Sequence, residues 1–416
     1  ELKDYPPLQE RLQTSRDEGG KVMLRSFSLK NFQSFLEETS ISLELNKNVP
    51  VDDRSAESQT GDRITKVMAV IGANASGKTT LIKSLGFLDW FIKYSFHNRI
   101  DADLPIDPHF SARDQASEFE ADFEMDGQVW RYRLQATRER VLLESLHRRL
   151  SRTFSYVFIR TWDADANSYT VKQQQFGMPQ REAVKTRPNA SIISTAAQFD
   201  VDLATRLVNL QVFSNVTGMG RAYMDNNQIL LASDFYAQNE LYQTQMSSLL
   251  RQWDLGLSAV RLVKQEVTDS NGEKKEIHVP YGVHAIHGRE HELILMQESS
   301  GTQGAFTLLS RILPALNAGG LAIIDELESD LHPHMLTPIL NLFFSPKTNP
   351  HNAQIIFTTH AIEVMNQLHK AQIVLVEKDA ACESDAWRLD DIKGVRVEDN
   401  LYAKYMAGAY GAIPQL

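Results

Sequence analysis

The sequence predicts an α/β chain built on a mainly parallel core sheet, to which an antiparallel β platform and a helical insertion are added. Three observations carry that prediction. A glycine-rich loop starting at Gly72 joins a strand-like run, 66–71, to a helical stretch from Thr79 to about Tyr94. Near the other end, the runs 321–324, 354–358 and 372–376 are almost continuously apolar, the pattern of strands buried on both faces. Between them, apolar and polar residues alternate cleanly on either side of Asp126-Gly127, a strong hairpin signal.

Taken in order, residues 1–22 are polar, with Pro6-Pro7 and Gly19-Gly20, and are expected to be an N-terminal arm or an appended segment, since Met23 would serve as a natural start. The stretch 23–35 alternates as a half-buried strand ending in a turn, and 41–45 is a second strand. Residues 46–62 are polar, hold Pro50 and Gly61, and read as a loop. With the glycine-rich loop, its helix and a Pro- and Asp-bearing connection at 101–114, they form a first lobe, 23–115. Strands at 119–125, 129–134, 141–146, 156–161 and 169–171 give the platform, 116–176. A stretch with Pro179 and Pro188 opens the helical insertion, 177–260, with helices at 200–213 and 233–250 and a last turn near Leu255. The second lobe, 261–416, holds a helix at 301–316 despite Pro314, ended by Gly319-Gly320, a helix at 335–344 and the three apolar strands. No internal repeat, sustained heptad pattern or low-complexity block interrupts this order.

At 416 residues the chain has room for two or three compact units. A formal charge of −10 argues against a globally basic nucleic-acid surface. A local basic strip, His147-Arg148-Arg149 through Arg152 to Arg160, reads as a solvated strand edge or a local contact for nucleic acid. The single cysteine, Cys382, excludes an intramolecular disulfide and suits a reducing compartment. No apolar run approaches the roughly 18–20 residues that cross a bilayer. The expectation is a cytoplasmic protein without a membrane partner.

Gly72, Gly77, Lys78 and Thr79 fit G-x-x-x-x-G-K-[ST]. Such a loop turns successive N–H groups and a helix N-terminus toward one anion, so Gly72, Ala73, Asn74, Ala75, Ser76, Gly77, Lys78, Thr79 and Thr80 are candidate triphosphate contacts. Lys78 would reach the β- and γ-phosphates and Thr79 would ligate Mg²⁺. The strand 321–324 ends in Asp325-Glu326, two acids where a nucleotide hydrolase needs them. Asp325 would hold the Mg²⁺ shell and Glu326 would orient or deprotonate the attacking water. The expected cofactors are therefore ATP and Mg²⁺.

Three further segments flank these acids: Glu298-Ser299-Ser300-Gly301-Thr302-Gln303, then Glu328-Ser329-Asp330-Leu331-His332-Pro333, then Phe357-Thr358-Thr359-His360. Their order resembles the ATP-binding cassette superfamily, and more closely its SMC-, RecF- and OLD-like branch, whose first strand has the form Leu-x-Asn-Phe-x-Ser-Phe seen at 29–35. The resemblance implies a two-lobed ABC-type ATPase head. It also implies that Ser300 and Gly301 bind the γ-phosphate held by another protomer, that Asp330 couples the two sites of a dimer, and that His360 senses the γ-phosphate or the attacking water. A homodimer or higher homo-oligomer with shared ATP sites follows from it. The signature segment departs from the usual Leu-Ser-Gly-Gly-Gln, and the Mg²⁺-linking glutamine has no clear match.

The ending, Val374-Leu375-Val376-Glu377-Lys378-Asp379 followed by 400–414, resembles stand-alone phage-defence ATPases: RloA, AbiL-type and PARIS-type ATPase subunits, and the ATPase half of OLD nucleases. Glu377 and Asp379 are similar to the opening of a Toprim nuclease domain, but only 37 residues follow Asp379 and no Asp-x-Asp strand lies among them. The expectation is an anti-phage, abortive-infection ATPase that senses or scaffolds and controls a separate effector, a nuclease by this resemblance. The rival expectation is a RecF- or SMC-like repair factor that clamps DNA when ATP drives dimerisation. The histidines at 284, 287 and 291, with Glu290 and Glu292, are a weaker metal-binding pattern without cysteine partners.

Overall fold

The computed structural model describes residues 21–413 apart from Met219, Tyr223, Asp254, 269–273, Asp330, the side chain of Pro333, and Val397. The core is a six-stranded sheet in the order Val212–Ser214, Leu321–Ile324, Gln354–Thr359, Val67–Gly72, Ile373–Lys378, Ser384–Arg388. All neighbours run parallel except the last pair, which is antiparallel. Alternate residues of these strands enter two different cores: Met68, Val70, Ile323, Ile356 and Val374 on one face, Ala69, Ile71, Ile324, Phe357 and Leu375 on the other. That double burial is why the runs are continuously apolar.

The first face packs on the helix Lys78–Tyr94 and, beyond it, on a seven-stranded antiparallel sheet. The sheet runs Ser168–Gln173, Phe154–Asp163, Val141–Arg149, Gln128–Ala136, Ser117–Met125, Met23–Lys30, Thr39–Ser42. Asp126 and Gly127, both with positive φ, turn the expected hairpin. The other face is covered by the helices Asn226–Ala237, Glu240–Gln252, Ser300–Ala318 and Leu336–Phe344.

Several sequence expectations differ in detail. The platform does not stop at residue 116, because Met23–Lys30 is hydrogen-bonded along Ser117–Met125 and extends the same sheet. Residues 200–213 are not one helix: Asp202–Val208 is helical, and Val212–Ser214 then joins the core sheet beside Leu321–Ile324. The helix expected at 233–250 is two helices broken at Gln238 and Asn239. Within 46–62, Ser55–Glu57 pairs with Arg63–Thr65. The three-stranded sheet Ala259–Thr268, Lys274–Ile286 and Arg289–Ile294 was not anticipated as a unit.

The basic strip is not uniformly solvated. Arg160 is fully buried, donating to the carbonyls of Thr186, Arg187 and Ala190 and lying 3.5 Å from the equally buried Glu144. Among the described residues no helix is long and apolar enough to cross a membrane.

Candidate functional site

In parallel sheets, sites form beyond the carboxyl ends of the strands, where neighbouring connections diverge. Here that edge carries the glycine-rich loop after Val67–Gly72, Asp325-Glu326 after Leu321–Ile324, and His360 after Gln354–Thr359. They converge on a cleft of about 990 Å³ lined by Asn74 to Thr80, Gln33, Ser34, Asp325, Glu326, Thr358 and His360. Two glycines permit the loop's path. A Cβ on Gly72 would sit 2.1 Å from the Val376 carbonyl oxygen, and Gly77, at φ 113°, would place one 2.6 Å from Ser384 Oγ.

Lys78 is 6% exposed and donates from Nζ to the carbonyl oxygens of Gly72 (2.9 Å) and Ala73 (2.8 Å). Burial pushes its pKa below the usual lysine value, opposed by the acids Asp325, Glu326 and Glu328. Thr79 donates to the Asp325 carboxylate, with oxygens at 2.9 and 3.1 Å, and Thr358 donates to the same carboxylate at 2.6 Å. Residues 246 positions apart are thus joined as the loop motif and strand-end acid require. Ser76 Oγ is buried in the loop with no hydrogen-bond partner among the described residues. Thr80 Oγ1 lies 3.1 Å from Gln33 Oε1.

Glu326 has φ 51°, a left-handed conformation uncommon for a residue with a side chain. Its N–H is fixed by Thr358 Oγ1 at 2.7 Å, its carboxylate pairs with Arg221, and His360 Nε2 stands 3.9 Å away. The His360 N–H in turn donates to Glu328. A carboxylate and an imidazole at the open end of a phosphate loop can accept and hold a proton from water.

Ser300 and Gly301 open the helix Ser300–Ala318, capped by Ser299, whose side chain accepts from the Thr302 N–H. Ser299 and Ser300 are exposed and do not line the cleft that holds Lys78. The structure therefore brings together Lys78, Thr79, Asp325, Glu326 and His360 and leaves the signature pair outside. Asp330 lies outside the described residues.

Sequence reasoning missed Asn215, Arg221 and Thr358. Asn215 exchanges two hydrogen bonds with the main chain of Asp325, 2.7 Å from its N–H and 3.0 Å to its carbonyl. Its signal is hidden because the helix expected at 200–213 runs over the start of the strand Val212–Ser214. Thr358 stood in the segment before His360 but had no assigned role. Glu377 accepts from the Ala412 N–H at 2.9 Å, so its carboxylate ties down the C-terminal segment.

Residues 67–366 match the family described as "AAA domain, putative AbiEii toxin, Type IV TA system". No curated protein matches the chain in sequence. Three solved structures are similar in outline. An Smc head bound to the C-terminal winged-helix domain of ScpA is 12% identical, covering 88% of this chain and 98% of its own, with a TM-score of 0.43. The SMC head domain from Thermotoga maritima is 13% identical over 88% and 98%, with a TM-score of 0.40. An Smc head with an extended coiled coil, bound to the C-terminal domain of ScpA from Pyrococcus furiosus, is 11% identical over 89% and 97%, with a TM-score of 0.44. Scores this low carry no conclusion about activity, whereas the family match spans the phosphate loop, both strand-end acids and His360. The chain belongs to the AAA_21 family and contains its AAA-type ATPase domain.

Proposed function

We propose that this protein binds and hydrolyses ATP at sites shared between protomers, and that it acts as the sensor or scaffold subunit of an anti-phage system controlling a separate effector. The observation that carries the ATPase reading is the contact of Thr79 with Asp325 beside a half-buried Glu326. The oxygens of Thr79 and Asp325 are hard donors within 3.1 Å of each other, a set that suits Mg²⁺. The buried, unpartnered Ser76 hydroxyl and the glycines that keep the loop open suit a triphosphate. Bound there, Mg²⁺ supplies charge neutralisation at the β- and γ-phosphate oxygens.

The chain's own residues supply the rest. Lys78, released from the carbonyls it caps, pairs with phosphate oxygens. Glu326 takes the proton of the attacking water, with Thr358 fixing its backbone and His360 beside it. The signature helix's N-terminal end, with Ser299 and Ser300 exposed, meets the nucleotide of another protomer.

The defence reading is supported by the family's description, which couples this domain to a toxin–antitoxin system. Deleting the neighbouring effector gene should abolish phage protection while ATP hydrolysis by the purified protein persists. Protection by the ATPase alone, or cleavage of DNA or RNA by the pure protein, would overturn this reading. Tight, salt-sensitive DNA binding by the pure protein would instead favour the repair-factor alternative.

A further inference from the structure

The three-stranded sheet formed by 259–268, 274–286 and 289–294 is attached to the helical layer by the start of its first strand, where the Val260 N–H donates to Ser247 Oγ, and by its middle strand. His278, Pro280, Gly282 and His284 share one face of that middle strand, because alternate strand residues point the same way. At one end, His278 meets Asp234 of the helix Asn226–Ala237, with both its N–H and its Nδ1 at 2.9 Å from Asp234 Oδ1. At the other end, His284 Nε2 lies 2.7 Å from Glu298 Oε1, while Nδ1 lies 2.9 Å from the Gly256 carbonyl.

Glu298 is the residue before Ser299-Ser300-Gly301, and its side chain is 8% exposed. Gly282 makes room for it, since a Cβ there would stand 2.5 Å from Glu298 Oε1. The Glu298 carbonyl accepts from Gln303 Nε2 at 2.8 Å, so the same residue is tied forward into the first turn of the signature helix. Both ring nitrogens of His284 face oxygen acceptors, which only the doubly protonated ring satisfies as a donor. The hydrogen bond to Glu298 accordingly holds His284 above the usual histidine range.

We infer that Glu298 is a positioning residue: clamped between His284 and Gln303, it sets the direction in which Ser300 and Gly301 present the helix N-terminus to a partner protomer's nucleotide. This rests on the shared-site reading above. The exposed strands of the sheet thereby become a handle on hydrolysis, because any displacement of the middle strand pulls on Glu298 and not on Lys78, Thr79 or Asp325. Without the clamp, ATP still binds its own protomer, but closure of two protomers on it loses its pre-set geometry.

The test uses the full chain carrying Glu326→Gln, followed by sedimentation with ATP and Mg²⁺, with nucleotide affinity measured separately on dilute protein. Adding Glu298→Ala should weaken ATP-driven dimerisation about tenfold, the scale of one charge-assisted hydrogen bond, and leave nucleotide affinity unchanged. Glu298→Gln, which keeps an oxygen facing His284, should restore most of the loss. His284→Ala should reproduce it, and combining it with Glu298→Ala should add little. Normal dimerisation of Glu298→Ala, or an equal loss of nucleotide affinity, overturns the inference and leaves shared-site hydrolysis standing. A Glu326→Gln parent that stays monomeric with ATP overturns both.

Discussion

Replacing Glu326 by Gln isolates the catalytic step from binding. The substitution removes a carboxylate that can take a proton but keeps size and shape at a position held by the Thr358 hydroxyl through its main chain. The ion pair lost with Arg221 is partly open, with side chains 21% and 38% exposed, so its contribution to stability is under about 1 kcal/mol. Folding should hardly change. Thr79 and Asp325 keep their mutual contact, so ATP affinity should stay within about threefold of the parent, well under 1.4 kcal/mol. A positioned general base contributes about 10²–10⁴-fold, or roughly 2.7–5.5 kcal/mol of barrier. Phosphate release should fall by that factor while calorimetric ATP binding persists. Lys78→Ala supplies the contrast, because it deletes the phosphate-pairing cation and should lose binding itself. A Glu326→Gln protein turning over within tenfold of the parent would refute the assignment of the base.

Two further substitutions probe the surrounding frame. Asn215→Ala leaves the Asp325 N–H and carbonyl without their side-chain partner and should cost about 1–3 kcal/mol of stability, with turnover reduced more than nucleotide affinity. Unchanged turnover would mean that Asn215 does not place Asp325. Glu144→Ala removes a fully buried carboxylate that accepts from Tyr132, Ser191 and the Ile192 N–H beside Arg160, stranding the guanidinium. Urea denaturation should show a loss of about 3–5 kcal/mol, and a loss under 1 kcal/mol would show that Arg160 is neutralised by other means.

What the sequence revealed followed from how local each signal is. The phosphate loop and the strand-end acids are short, dense in special residues, and flanked by strands whose two-face burial leaves no polar residue to blur them. The antiparallel hairpin was legible from Asp126-Gly127 for a similar reason. Pairing between distant segments was not. Nothing local says that Met23–Lys30 lies beside Ser117–Met125, or that Val212–Ser214, at the end of an apparent helix, join the core sheet. Asn215 and Arg221 escaped notice because their roles exist only once that short edge strand brings them to Asp325 and Glu326. The Glu298–His284 clamp was invisible in the same way, since the histidines at 284, 287 and 291 read as a weak metal pattern until the strand pairing placed one of them on the approach to the signature helix.

The central claim is that each ATP site is completed by two protomers, and complementation tests it most directly. Lys78→Ala protomers lack the phosphate cation, and Ser300→Arg protomers block the signature end. Each should be inactive alone. Mixed in equal amounts, half of the dimers should be mixed and carry one intact site of two, so activity should return to about a quarter of wild type if sites act independently. Mixtures that never regain hydrolysis, beside a wild-type protein that keeps full turnover when diluted to monomer, would contradict the account.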